Sequence, residues 1–235
     1  MKKLLQALGM AVLVSATAQA QTVLNFEGIN AAYPSTNYAN INGFYNGGTS
    51  SQGTSGANLG IAFSSNALAI CLNTIGFTSG CSNTSRGGLG NPTSQRGGLF
   101  FLDGVSTFMN RAAGFTTGFS FFYSAIGTGG SFSVWSGLSG TGTLLGSLAL
   151  GVTPSGPCPG YDAGFCPFVA KGLAFAGTAM SVTFAGAANQ IVFDDVTFGS
   201  DIPDTRVPEP TTVALLAGGL MIVGGMARRR RNVAV

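Results

Sequence analysis

The 235-residue chain has no histidine, four cysteines, 37 glycines and 18 phenylalanines, and only 8% of its residues are charged. The missing imidazole excludes Ser-His-Asp and Cys-His catalysis and histidine metal centres, and long amphipathic helices would need far more Glu, Lys and Arg. The formal charge of +3 comes from the ends: Lys2, Lys3, Arg206 and Arg228 to Arg231 are seven of the eleven basic residues, so residues 21–205 carry a net −3, which offers no electrostatic footprint for nucleic acid.

Residues 1–20 open with Lys2 and Lys3, run through the apolar stretch Leu4 to Val14 and end in Ala18-Gln19-Ala20. That order predicts a signal peptide cut before Gln21, because the apolar core is well short of the ~20 residues a membrane span requires. The remaining body, residues 21–205, is long enough for one domain with a single core.

Along the body, short strands are predicted at Thr22 to Glu27, Leu59 to Phe63, Ala67 to Leu72 and Gly98 to Leu102, separated by glycine and asparagine turns. The polar stretch from Gly28 to Asn58, with Tyr33, Tyr38 and Tyr45, reads as a long ordered loop. Alternation is clearest in Gly118 to Ser124, where Phe119, Phe121 and Tyr123 share a face, and in Ser131 to Ser136, where Phe132 and Val134 oppose Trp135. Further strands are expected at Thr143 to Leu150, Ala179 to Ala185 and Gln190 to Gly199, with a loop rich in proline and cysteine from Thr153 to Pro167. Eight to ten short strands with tight polar turns point to an all-β fold, an antiparallel β-sandwich of jelly-roll type.

In an exported chain the four cysteines are expected to form the local disulfides Cys71-Cys81 and Cys158-Cys166. Four cysteines allow three connectivities, and a zinc site finds neither CxxC spacing nor histidine here.

The C-terminus reads in strict order: Pro208-Glu209-Pro210, an apolar run over residues 211–227 expected to form a transmembrane helix, and the basic cluster Arg228, Arg229, Arg230 and Arg231. Arginines beside an apolar run stay cytoplasmic, which would leave the body of the chain on the far side of the membrane. These ordered elements in residues 206–235 resemble the PEP-CTERM sorting signal of Gram-negative bacteria. The resemblance implies recognition by an exosortase, a membrane transpeptidase, with removal of the tail on the way to the cell surface or extracellular matrix. The segments Phe132 to Gly142 and Ile191 to Phe198 resemble jelly-roll domains found ahead of this tail, which look like carbohydrate-binding modules.

Such modules commonly tie their first and last strands through calcium, so the resemblance implies a structural calcium ion held by Glu27 with Asp194 or Asp195. The residues equally allow one of these aspartates to accept hydrogen bonds from a loop or to pair with Arg111. Strand alternation would send Asp194 and Asp195 to opposite faces, too far apart to flank one glycosidic bond. Trp135, with small polar neighbours Ser131 and Ser133 on its face, is the expected sugar contact. The leading expectation is therefore a non-enzymatic, exported surface protein that binds exopolysaccharide. The alternative is a carboxylate-dependent glycan hydrolase or lyase using Glu27, which would require an acidic partner across an open cleft.

Overall fold

The computed structural model describes residues 21–32, 36–72, 97–153 and 168–203. The expected signal peptide and the sorting tail, Pro208-Glu209-Pro210 and Arg228 to Arg231 included, lie outside these residues. No helix among the described residues is long and apolar enough to cross a membrane.

In chain order the described strands are β1 (Thr22–Leu24), β2 (Tyr38–Asn40), β3 (Ile61–Phe63), β4 (Leu68–Cys71), β5 (Gly97–Phe100), β6 (Ser106–Phe115), β7 (Gly118–Ala125), β8 (Gly130–Trp135), β9 (Leu144–Leu150), β10 (Val169–Ala174), β11 (Ala179–Gly186) and β12 (Ile191–Phe198). They form two antiparallel sheets, one in the order β10-β7-β12-β5-β4-β2 with β1 also paired to β12, the other in the order β3-β6-β11-β8-β9. Three of these strands depart from expectation: β2 lies inside the stretch read as a loop, and β6 and β10 carry no clear alternation.

The sheets face each other across phenylalanine. On β7, Phe119, Phe121 and Tyr123 point inward, and on β8 Phe132 and Val134 do, as the alternation predicts. Phe121 meets Phe132 edge-on at 4.8 Å, and Phe184 of β11 meets Phe193 of β12 at 4.7 Å, so rings from opposite sheets interlock. On the other face of the first sheet, Ile70, Leu72, Phe100 and Val192 form a second apolar cluster. Strands β7 and β12 are consequently buried on both faces, and their sequences read as near-continuous apolar runs.

Two irregularities bend this frame. Asp194 pairs with Phe122 but Thr197 with Ser120, a β-bulge in which Asp195 adopts a φ of 45°. On β6, Asn110 pairs with Ser181 but Phe115 with Ala179, so residues 111–114 bow out of the ladder with β11, while Arg111 still pairs with Ile61 of β3, and Gly114 takes a φ of 70°.

At the start of β5 the chain passes so close to the Phe26 to Glu27 peptide that a Cβ on Gly97 would collide with the Phe26 carbonyl oxygen. The Gly97 N–H donates to Glu27 Oε1 at 2.8 Å, which ties β5 to the segment following β1. Gly97→Ala is expected to cost about 1–3 kcal/mol, the usual range for overpacking. Denaturant unfolding measures this, and a variant as stable as the parent would show that the approach is not tight.

Candidate functional site

The charges of the three carboxylates singled out in the sequence all act on one buried phenol. Tyr45 is buried, and its oxygen accepts the Phe26 N–H at 3.1 Å, at the residue that follows Asn25 and precedes Glu27. Burial is the main cause that pushes the Tyr45 hydroxyl well above the ordinary tyrosine range; the Phe26 N–H works against it, and the charges of Asp194, Glu27 and Asp195 add to the rise. The pairing of β1 with β12 assembles this region: Leu24 lies opposite Val196, one residue beyond the bulged Asp195.

Within the cluster the carboxylates hold backbone. Glu27 takes the Gly97 N–H, and Asp194 Oδ1 takes the N–H of Asp195 at 2.7 Å. Asp194 and Asp195 are 1% and 0% exposed, so neither reaches solvent. The expectation that adjacent aspartates simply alternate across the strand does not hold here, because the bulge and the left-handed Asp195 break the two-residue period. Among the described residues no group of three or more His, Cys, Asp or Glu is placed to hold a metal ion. The expected calcium set of Glu27, Asp194 and Asp195 is therefore not grouped to hold an ion. Glu27 ties the segment after β1 to β5, and Asp194 holds the backbone of the β12 bulge.

Arg111 does not pair with either aspartate. Its guanidinium lies over the ring of Phe198, 5.5 Å from the centroid.

The second site is the outer face of the sheet β3-β6-β11-β8-β9. Trp135 ends β8 on that face, half-buried, and its indole N–H donates to Thr183 Oγ1 at 3.0 Å, which fixes the ring against the sheet. Beside it the hydroxyls of Ser133 and Ser147, opposite each other on β8 and β9, lie 3.0 Å apart. Phe108 and Ser133 flank Thr183 on either side, and Ser131 pairs with Ala185 and Ala149. The face therefore offers two aromatic side chains among small hydroxyl and methyl groups, with no charged residue in these rows.

A short turn closes one side of this face. Leu138–Gly140 folds over β6 and β11, with the Ser139 N–H donating to Asn110 Oδ1 at 2.6 Å and the Gly140 N–H to Ser181 Oγ at 3.0 Å. Sequence reasoning located Trp135 but missed its neighbours Thr183 and Phe108, because β6 was not recognised and cross-strand neighbours depend on register.

Cys71, the last residue of β4, takes part in a disulfide. Cys81, Cys158 and Cys166 lie outside the described residues, and with them the expected pairing. No protein-family model matches the chain, and no curated protein matches it significantly.

Tyr45 gives the carboxylate cluster a measurable signature. Above pH ~10 an unfolded tyrosine loses its proton while buried Tyr45 keeps it, so stability is full below that pH and falls as pH rises beyond it, by up to ~1.4 kcal/mol per unit. Tyr45→Phe leaves the Phe26 N–H without its acceptor and is expected to cost about 1–3 kcal/mol at neutral pH. The variant should also lose stability less steeply in alkali. Denaturant titrations from pH 7 to 11 decide this, and identical alkaline slopes would rule out the assignment.

Proposed function

We propose that this chain is an exported, exosortase-sorted protein of the cell surface or extracellular matrix, without enzymatic activity, whose body is a jelly-roll module that binds exopolysaccharide. The observation that carries the sorting half is the ordered tail: Pro208-Glu209-Pro210, the apolar residues 211–227 and the arginines 228–231. Signal peptidase and exosortase are its partners in processing, and the C-terminal helix holds the membrane until the tail is removed. The jelly-roll reading is supported by strand order. Strands β5 to β12 divide between the sheets as β5-β12-β7-β10 and β6-β11-β8-β9, with β8 and β9 joined as a hairpin, which is the connectivity expected of two interlocked Greek keys.

The binding half rests on Trp135. A ring held to the sheet by its own N–H, beside uncharged serine and threonine hydroxyls, suits the apolar face and equatorial hydroxyls of a neutral sugar. The carboxylates favour a structural role over hydrolysis, since Glu27 and Asp194 accept backbone N–H groups and both aspartates are buried.

Intact mass of the protein recovered from native cell surfaces should show a chain that begins at Gln21 and lacks the arginine cluster. Full-length, reduced protein in the cytosol would overturn the sorting assignment. Trp135→Ala is expected to weaken retention on the host's exopolysaccharide about tenfold, ~1.4 kcal/mol, in an affinity pull-down. Equal retention of parent and variant would remove Trp135 from the binding face.

A further inference from the structure

A pocket opens at one end of the two sheets, off the outer face that carries Trp135. Thr107 and Met109 of β6 are buried, and Arg111 follows them just where the strand bows out of register with β11. There its guanidinium covers Phe198 and lines an open pocket of about 500 Å³, together with Gln21, Thr22, Phe115, Thr116 and Phe198. Gln21 and Thr22 enter from the β1 side and Phe198 from β12, while Arg111 and Phe115 come from the opposing sheet.

The charge balance at this pocket is unusual. The described residues contain two basic side chains, Arg111 and Lys171, against the five acidic Glu27, Asp103, Asp194, Asp195 and Asp201. Arg111 nevertheless has no carboxylate beside it among the pocket's described lining, and its buried Nε has no hydrogen-bond partner. A guanidinium partly withdrawn from water without a counter-charge is costly, and the Phe198 ring offsets only part of that cost. A planar, forked cation of this kind is matched by a carboxylate.

The surroundings narrow the ligand. The volume falls within the ~300–1,000 Å³ of small-molecule sites, enough for a single sugar ring. The Thr22 and Thr116 hydroxyls and the Gln21 amide add neutral donors and acceptors around the one cation. We propose that this pocket binds an acidic sugar, a hexuronate unit, with Arg111 holding its carboxylate. The proposal does not depend on the Trp135 face, which presents no charged group.

Calorimetric titration of the full-length protein with glucuronate, glucose and inorganic phosphate tests it. Glucuronate is expected to bind with a Kd of ~1 mM that weakens as salt is raised, and glucose at least about tenfold more weakly. Arg111→Gln should lower glucuronate affinity at least about tenfold with little change in melting temperature. Thr116→Trp, on the exposed rim, should do the same while keeping the guanidinium, and it carries the test if the arginine variant fails to fold. The proposal is overturned if glucuronate does not bind, if glucose or phosphate binds as well, or if both variants retain the parent's affinity.

Discussion

Ring-on-ring contact between the facing sheets is the interaction on which the rest of this protein depends. Phe119 and Phe121 from β7 meet Phe132 and Phe184 from the opposite sheet, and Phe193 closes the group. In a chain that is only 8% charged and has 37 glycines, neither ion pairs nor helix propensity supplies much cohesion. Large rings bury the most apolar surface per ordered side chain, and edge-to-face geometry fixes how the two sheets sit on one another. The outer face carrying Trp135 and the end pocket carrying Arg111 both inherit their positions from this contact.

Chemistry in the molecule gathers where the ladders break. The bulge at Asp195 brings two buried carboxylates near Tyr45 beside the residues that follow β1, and the bow in β6 sets Arg111 over Phe198. A regular ladder would satisfy every backbone group and leave no reason for a polar side chain to enter the interior. Here the irregular residues bring polar groups inward, and nearby backbone N–H groups, those of Gly97 and Asp195, hold the carboxylates.

Much of the frame was legible in the residues. Phe119, Phe121, Tyr123, Phe132 and Val134 announced their faces by two-residue alternation, and Trp135 was correctly placed opposite to Phe132. Strand β6 escaped because its residues Arg111-Ala-Ala-Gly form a bow, which destroys the period, and β10 because Ala170, Lys171 and Gly172 have low β preference and sit on an edge strand. Strand β2 was hidden by brevity, three residues inside a polar stretch whose glycines and asparagines mark turns on either side.

The sequence by itself determined the fold class, the inward and outward faces of the longest strands and the absence of imidazole chemistry, because these follow from composition and local period. Only the tertiary structure decided which residues meet across strands: Trp135 with Thr183, Glu27 with Gly97, Arg111 with Phe198. Those contacts span 48, 70 and 87 residues of chain. They depend on register, and register is set by bulges and by the fit of rings in the core, which no short window of residues contains.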